Sequence, residues 1–343
     1  MPGRLMAAEI NEQPALWEAR LADQRSVAEI AARLRAASPR FVLLAARGTS
    51  DHAALYAKYL IEIYHGLPAG LASPSTMSVY EARPDLRGVL LVVISQSGES
   101  PDLVRTTEVA RASGALSLAV TNNPDSALAD AAELHLSLGA GQERAVAATK
   151  SYTAQLLALY LLSAHWRGSG WEAAKRLPEL GQTVLTADDE LRSLAARYRF
   201  AMRLVTTARG FSYATAREAA LKMMETSYVA AQAFSGADLL HGPLAMLDPL
   251  VPVLAVIPEG AGGEAMRQAI PRLRSARADL FVVGHRAAVA EADAGFVLPE
   301  GVSEEVSPLL EILPLQLLAL HLATARGEDP DAPRGLSKVT ATL

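Results

Sequence analysis

The stretch Leu90-Leu91-Val92-Val93-Ile94-Ser95-Gln96-Ser97-Gly98-Glu99-Ser100-Pro101-Asp102 changes abruptly from large apolar residues to small hydroxyl residues. Its apolar run, residues 89–94, has no polar alternation, which is typical of a strand buried on both faces of a parallel sheet. The hydroxyl residues would then lie at the carboxyl end of that strand, where open α/β sheets bind their ligands. Serine hydroxyls, loop N–H groups and a helix start together suit a phosphate. The alternative is a polar strand-to-helix turn in which serine and glycine serve only as capping residues.

Short apolar strands alternate with helices on both sides of this stretch. Up to residue 168 the predicted strands cover residues 41–45, 69–72, 89–94, 116–121 and 134–138, and a long helix follows over 149–166. A helical segment over 172–198 precedes a second series of strands at 204–208, 252–257, 280–284 and 295–298. This alternation predicts an α/β fold with parallel sheets and helices on both faces.

Three further helix boundaries are predicted. The first 37 residues are expected to be helical from Arg4, with a second helix opening at Ala15 after Pro14. In the second series of strands, one helix is expected to run to about Ala230 and another to Ala276.

An internal repeat relates the two series of strands. The segment Ala46-Arg47-Gly48-Thr49-Ser50 recurs as Ala208-Arg209-Gly210-Phe211-Ser212, and the strand before Ser95 recurs as the strand before Pro258. Both offsets are about 160 residues, which indicates a duplicated fold. The second copy has lost its hydroxyl loops, since Pro258-Glu259-Gly260-Ala261 replaces Ser95-Gln96-Ser97-Gly98. We therefore expect the first copy to bind phosphate and the second to supply scaffold and other catalytic groups.

The composition argues against several classes of protein. The 343 residues are half apolar, and a net charge of -5 without a basic stripe argues against nucleic acid as a partner. The absence of cysteine excludes disulfides, thiolate metal sites and cysteine nucleophiles, and the seven histidines show no metal-ligand spacing. The N-terminus has no signal-peptide pattern, and the longest apolar run, residues 156–164, is too short to span a membrane. We expect a cytoplasmic protein with no membrane contact.

Lysine is rare in this chain. Arginine supplies 27 of the 32 basic residues, and the lysines are Lys58, Lys150, Lys175, Lys222 and Lys338. Because lysine can act as an amine nucleophile and arginine cannot, each lysine is a candidate for a functional role. Lys58 and Lys175 are expected on the surface, and Lys150 is either an exposed helix-start residue or part of a site.

Five motifs follow one another along the chain: Gly48-Thr49-Ser50, Ser95-Gln96-Ser97-Gly98-Glu99-Ser100, Glu218-Ala219-Ala220-Leu221-Lys222-Met223-Met224-Glu225, His241-Gly242-Pro243-Leu244-Ala245 and Pro333-Arg334-Gly335-Leu336-Ser337-Lys338. Together they resemble the sugar isomerase (SIS) family, and within it the isomerase half of glucosamine-6-phosphate synthases, over nearly the whole chain. The resemblance implies two similar SIS subdomains, each a flavodoxin-like or Rossmann-like three-layer sandwich. The predicted parts are a helical lead (1–38), a first SIS subdomain (39–168), a helical connector (169–200), a second SIS subdomain (201–326) and a tail that closes the active site (327–343).

The resemblance also implies where the substrate binds. In this family a six-carbon sugar phosphate occupies the first SIS copy. The matching substrate- and phosphate-binding positions here are Thr49, Ser50, Ser95, Gln96, Ser97, Ser100, Val146 and Ser337. Ser100 stands where the synthases typically have threonine, a change that keeps the hydroxyl group.

Four further residues match the family's catalytic groups. Glu225 corresponds to the carboxylate that moves a proton between C1 and C2, and Lys222 lies one helical turn before it. His241 corresponds to the residue that opens the sugar ring, reaching the site from the neighbouring subunit of a homodimer. Lys338 corresponds to the tail lysine that forms a Schiff base with the open-chain ketose. Without the resemblance these would be an intrahelical ion pair, a loop histidine and an exposed tail lysine.

One difference from the synthases bears on the reaction. The synthases carry an N-terminal glutaminase with a cysteine nucleophile, whereas this chain has no cysteine and a short helical lead, so we expect no ammonia release from glutamine by that route. The resemblance then implies an isomerising deaminase that converts glucosamine 6-phosphate to fructose 6-phosphate and ammonia, with no metal and no organic cofactor. The alternatives are ammonia-dependent synthesis, a fructosamine-6-phosphate deglycase, a galactosamine-phosphate deaminase or isomerase, and a non-catalytic phosphosugar sensor.

Overall fold

A computed structural model describes residues 2–338 and divides into two compact units. The N-terminal unit contains residues 15–143, 150–175 and 337–338, and the C-terminal unit contains residues 2–14, 144–149 and 176–336. Each unit holds one five-stranded sheet. The boundaries predicted for the lead, connector and tail remain predictions, and residues 339–343 of that tail lie outside the described residues.

The first half of the chain forms seven helices and five strands among the described residues. In chain order these are α1 (Arg4–Ala22), α2 (Arg25–Ala37), β1 (Phe41–Ala45), α3 (Thr49–Tyr64), β2 (Ala69–Leu71), α4 (Ser75–Ser78), β3 (Val89–Ser95), α5 (Pro101–Ala112), β4 (Leu116–Thr121), α6 (Ala127–Ala131), β5 (Leu134–Ser137) and α7 (Lys150–Arg167). The strands pair in parallel in the order β2-β1-β3-β4-β5. Residues Leu90–Ile94 of β3 are all buried, as expected for a strand covered by helices on both faces.

The second half repeats this arrangement. It forms α8 (Leu177–Leu185), α9 (Asp188–Arg197), β6 (Arg203–Ala208), α10 (Ser212–Ser227), β7 (Ala230–Ser235), α11 (Gly236–Leu240), β8 (Val253–Ile257), α12 (Ala261–Arg267), α13 (Ile270–Ser275), β9 (Leu280–Gly284), α14 (Arg286–Val289), β10 (Ala294–Val297) and α15 (Ser307–Ala325). The strands are again parallel, in the order β10-β9-β8-β6-β7. Aliphatic side chains of β8 and β9 form its core with Ile270 and Leu273 of α13.

The two sheets have the same topology. Written from the same edge, the order β2-β1-β3-β4-β5 matches β7-β6-β8-β9-β10 strand for strand. In each sheet the first strand lies between the second and the third, which is the order of flavodoxin-like sheets. The structure therefore confirms the predicted α/β class and the duplicated fold.

The structure corrects three predicted boundaries. No helix opens at Ala15, because α1 continues through Pro14 to Ala22. Proline cannot donate to the carbonyl of Ile10, but the side-chain amide of Gln13 donates to that carbonyl at 3.0 Å. A strand, β7, begins at Ala230 where the sequence analysis expected only the end of a helix. The helix expected to run to Ala276 is split into α12 and α13, and Pro271 opens the second of them.

The most apolar long helix is α15, not the segment at residues 156–164. Among residues 2–338, α15 is the one helix long and apolar enough to cross a membrane. Its apolar window is 89% buried inside the fold, and it packs against α8, α9 and α10 of the same unit. A core helix of a globular unit has these same properties.

Candidate active site

Two of the predicted ligand loops leave neighbouring strands of the N-terminal unit. Residues 46–48 follow β1 and lead into α3, and Gln96-Ser97-Gly98-Glu99-Ser100 follows β3 and leads into α5. The two strands are paired, with Ala45 opposite Val93. The strand β2 lies on the far side of β1, and β4 lies on the far side of β3. Both loops therefore lie at the point where the strand order reverses, which is where doubly wound folds bind ligands.

The loop after β3 is closed by its own hydroxyl groups. Ser95 Oγ accepts a hydrogen bond from the N–H of Gly98 at 3.1 Å, and Ser97 Oγ accepts one from the N–H of Glu99 at 3.3 Å. Gly98 has a φ of +71°, and a Cβ there would lie 2.2 Å from Ser126 Oγ. The serines therefore order the loop with their oxygens, and their protons stay available to an anion. Ser100 is the N-cap residue of α5 and makes no side-chain cap bond.

The loop after β1 is fixed from two directions. Thr49 and Ser50 open α3, and buried Ser50 Oγ accepts a hydrogen bond from the side-chain amide of Gln155 at 2.9 Å. Arg47 forms an ion pair with buried Asp102 of α5, with Nη2 and Oδ2 2.7 Å apart. This ion pair links the loop after β1 to the helix that follows the loop after β3.

The second copy holds a carboxylate at the corresponding loop. Glu304 accepts hydrogen bonds from the N–H groups of Ala261 at 2.8 Å and Gly262 at 2.7 Å, at the carboxyl end of β8. A Cβ on Gly260 would lie 2.4 Å from the same carboxylate. The glycines that stand in place of the first copy's hydroxyl residues therefore leave space for the carboxylate of Glu304.

A carboxyl group also replaces an amide in the second copy. Ser212, which aligns with Ser50 in the repeat, donates to Glu311 Oε1 at 2.8 Å, and Thr215 donates to Oε2 at 2.8 Å. Burial raises the pKa of Glu311 to about 7, and hydroxyl donors, including those of Ser212 and Thr215, oppose this rise. In the first copy Ser50 accepts a hydrogen bond and keeps its proton available, whereas Ser212 donates its proton into the core.

Three charged side chains cluster on α10 of the C-terminal unit. Lys222 is fully buried, with Nζ 2.5 Å from Glu225 Oε2 and 3.3 Å from Glu218 Oε1. Burial alone would lower the pKa of Lys222, but the carboxylates of Glu218 and Glu225 outweigh burial and raise this pKa above its ordinary value. Glu218 is fully buried, whereas the side chain of Glu225 is 22% exposed. Lys222 therefore stays an ammonium that holds Glu225 in place, and Glu225 is the member of the cluster that reaches solvent.

The C-terminal unit also contains His241 and Val146. His241 is exposed and follows α11 directly, with its N–H donating to the carbonyl of Asp238 at 3.0 Å. Val146 is half-buried in the segment 144–149. That segment is held by Glu9, whose carboxylate accepts hydrogen bonds from the N–H groups of Arg144 and Ala145.

The tail lysine contacts a buried carboxylate in the N-terminal unit. Lys338 Nζ donates to Glu143 Oε2 at 2.7 Å, and the side chain of Glu143 is fully buried. Ser337, beside it, is exposed, whereas Lys150 at the start of α7 is buried, so Lys150 is not the exposed helix-start residue that one alternative expected.

Within each unit the structure brings some predicted residues together. The N-terminal unit holds Thr49, Ser50, Ser95, Gln96, Ser97, Ser100, Ser337 and Lys338, and the C-terminal unit holds Val146, Lys222, Glu225 and His241. The sequence analysis did not single out Glu143, Gln155 or Glu218 as site residues. Glu218 lies in the α10 motif, one turn before Lys222, and that spacing could have revealed it. No comparable sequence spacing indicates Glu143 or Gln155.

Comparison with known proteins supports the assignment of the fold. The family model described as SIS domain matches residues 37–164 and 198–326. The glutamine–fructose-6-phosphate aminotransferase (isomerizing) of Pyrococcus horikoshii is 34% identical over 342 residues, which covers 97% of this chain and 57% of the relative. The chain thus spans little more than half the length of that relative.

Solved structures share this fold over nearly the whole chain. The C-terminal domain of glucosamine-fructose-6-phosphate aminotransferase from Francisella tularensis is 27% identical with a TM-score of 0.86, covering 96% of this chain and 98% of that chain. Glucosamine-6-phosphate deaminase from Thermotoga maritima has a TM-score of 0.75 over 99% of both chains at 21% identity, a likeness of fold alone. The matched family model, the long relative and the shared topology agree: this chain belongs to the SIS domain family and carries that domain twice.

Proposed function

We propose that this chain converts glucosamine 6-phosphate and water to fructose 6-phosphate and ammonia. The observation that carries the proposal is the buried ammonium of Lys222 between Glu218 and Glu225. Acid–base clusters of this kind are concentrated at catalytic sites. At the repeat-related positions of α3, the first copy has Tyr56, Leu60 and Ile63, so the fold itself does not require these charges.

Each proposed step uses a group described above. The phosphate binds the hydroxyl loops of the first copy, and His241 opens the sugar ring as an acid–base catalyst. Glu225 removes the proton from C2 and returns it to C1, while the Lys222 ammonium stabilises the charge that develops on oxygen. The aminated C2 then exchanges ammonia for water, by way of an imine with Lys338.

The comparisons support the substrate class more directly than the direction of the reaction. The Pyrococcus horikoshii relative is named for fructose 6-phosphate and is similar over 97% of this chain. The Thermotoga maritima neighbour is named a glucosamine-6-phosphate deaminase but shares only the fold. We also propose a homodimer in which His241, exposed on its own chain, acts on the substrate of the partner.

The test is turnover of glucosamine 6-phosphate, with ammonia and fructose 6-phosphate measured separately. We expect the two products in equal amounts. Glu225→Gln should abolish turnover and leave sugar-phosphate binding intact, and Glu190→Gln, a change of an exposed glutamate on α9, should behave as the parent chain. Turnover of a different phosphosugar with no product from glucosamine 6-phosphate would contradict the proposed substrate. A sensor would bind the sugar phosphate and turn nothing over.

One observation favours a second candidate, amination of fructose 6-phosphate. The relative that aligns with nearly the whole chain is named an aminotransferase, and this chain covers 57% of it. The proton transfer between C1 and C2 is the same in either direction, so the same residues would serve. Supplying ammonia with fructose 6-phosphate and measuring glucosamine 6-phosphate against the reverse rate separates the two directions.

A further inference from the structure

Glu143 is a buried carboxylate to which the proposed reaction has so far given no part. Its loop joins β5 to α7, and its Oε1 accepts a hydrogen bond from the N–H of Ser151 at 3.0 Å. Its Oε2 accepts one from Ser151 Oγ at 2.7 Å. Because Ser151 is the second residue of an 18-residue helix, the carboxylate lies at the positive end of the helix dipole. Its negative charge is therefore stabilised and its position is fixed.

The same oxygen receives the tail lysine. Lys338 Nζ lies 2.7 Å from Glu143 Oε2, and the lysine side chain is 25% exposed while the glutamate is fully buried. A free lysine side chain samples many rotamers, so an amine that must meet a carbonyl carbon benefits from being held. Ser151, Glu143 and Lys338 form a connected chain of hydrogen bonds that ends at the amine nitrogen.

We propose that Glu143 is a positioning residue for Lys338 and the acceptor of its proton when Lys338 forms an imine with a ketose phosphate. This inference rests on the proposed function, since it assumes that Lys338 reacts with the ketose. Glu143 acts on Lys338 first, and it reaches the sugar at the C2 hydroxyl of the carbinolamine, to which it returns the proton.

The proton transfers balance as follows for the ketose. Lys338 Nζ gives one proton to Glu143 Oε2, which leaves a neutral amine and a neutral carboxylic acid. The amine lone pair forms a bond to C2, the C2–O π bond breaks, and the amine's second proton moves to that oxygen to give a carbinolamine. Glu143 returns its proton as the C2–O bond breaks, so water leaves and a protonated imine faces a carboxylate again. The net reaction is ketone plus ammonium to iminium plus water.

The test is reductive trapping of the imine. Parent chain and variants are incubated with sodium cyanoborohydride and a series of fructose 6-phosphate concentrations up to saturation, and the rate of adduct formation on the Lys338 peptide is followed by mass spectrometry. We expect the parent chain to be modified, Lys338→Arg not to be modified, and Glu143→Gln to be trapped at least about tenfold more slowly, with little change in the concentration for half-saturation. Glu62→Gln, which breaks the Lys58–Glu62 pair of the same unit, is the matched control and should match the parent.

The possible outcomes separate this inference from the proposed function. Trapping of Glu143→Gln at the parent rate, or a higher half-saturation concentration with an unchanged maximal rate, would overturn it in favour of a simple clamp on the tail. If Glu143→Gln does not fold, Ser151→Ala decides, because it keeps the carboxylate and removes one donor: slower trapping by about two- to fivefold supports the proposal and no change overturns it. Deamination by a parent chain that forms no adduct overturns this inference and the Lys338 imine step but leaves the deaminase reaction standing, whereas absence of both turnover and adduct overturns the proposed function as well.

Discussion

The buried side chain of Lys222 compensates the charge of a fully buried carboxylate, that of Glu218. Lys222→Met removes the positive charge that lies 3.3 Å from Glu218 Oε1 in a dry environment. We predict that the variant loses about 4 kcal/mol of unfolding free energy and loses turnover of glucosamine 6-phosphate. Urea unfolding measures the first effect, and the ammonia assay measures the second.

A double variant separates the structural effect of Lys222 from its chemical effect. Replacing both charges, Glu218→Leu with Lys222→Met, removes the buried carboxylate together with the ammonium and should recover much of the lost stability without recovering turnover. Lys175→Met is the control, because Lys175 is exposed. A single variant as stable as the parent would mean that Glu218 does not depend on Lys222.

Glu311 makes the stability of the chain depend on pH. Its pKa is raised from 4.5 in the unfolded chain to about 7 by burial, so the folded chain binds the proton more tightly. The contribution of Glu311 to the free energy of unfolding is greatest below about pH 4.5 and decreases as the pH rises to about 7. Above that pH the contribution changes no further. The shift corresponds to a loss of about 3 kcal/mol across this window.

Glu311→Gln tests that dependence. Glutamine cannot ionise, and it is the residue type that contacts the corresponding serine in the first copy, where Gln155 donates to Ser50. We predict that the variant gains stability relative to the parent as the pH is raised from 5 to 8, measured as the difference in guanidinium unfolding free energy. Equal pH dependence in the two proteins would show that the carboxyl is ionised in the fold at neutral pH.

At the scale of the element, the loop after β3 depends on a glycine. Gly98 has a φ of +71°, and a side chain there would collide with Ser126. Gly98→Ala should displace the serines of this loop and weaken binding of fructose 6-phosphate at least about tenfold, measured by calorimetry. Gly139→Ala is the matched control, because Gly139 also has a positive φ, +66°, but has no atom within 4 Å of an added Cβ. Equal losses in both variants would assign the effect to backbone strain alone.

The elements that the sequence predicted well are those with a strong local pattern. The apolar run of β3 and the repeated Arg-Gly-x-Ser segment predicted the strand, the turn and the duplication, because burial on both faces leaves no other pattern for such a strand. Strand β7 was missed because Ala230-Ala231-Gln232-Ala233-Phe234-Ser235 lacks β-branched residues and obtains its structure by pairing with β6. The continuation of α1 through Pro14 depends on a bond made by Gln13, which periodicity does not report.

The candidate site was predicted in part, for a related physical reason. Hydroxyl residues that follow a buried strand, and charges spaced by one helical turn, are local features of the sequence. The pairing of Glu143 with Lys338 joins residues 195 positions apart, and the bond from Gln155 to Ser50 joins residues 105 positions apart. Contacts of that kind follow from the packing of the finished fold, so no local pattern indicates them.

At the scale of the whole molecule, the two copies share one sheet topology but differ in the polar and charged side chains at corresponding positions. The first copy has hydroxyl groups at its switch point, and the second has Glu304 at the corresponding loop and the Lys222 cluster on α10. The proposed function assigns phosphate binding to the first copy and proton transfer to the second, so it uses the different groups that the two copies keep. The proposed contribution of His241 from a partner subunit adds a group from a second chain.

Mixing two inactive variants tests the shared site. Glu225→Gln and His241→Ala should each abolish turnover. In a mixed dimer one site would contain both substitutions and the other neither, so random mixing should restore about a quarter of the parent activity. If Glu225 and His241 instead acted from the same chain, every site in the mixture would carry one substitution and no activity would return. Unfolding and refolding the variants together, followed by the ammonia assay, distinguishes the two cases, with a parent chain refolded in the same way as the reference for full activity.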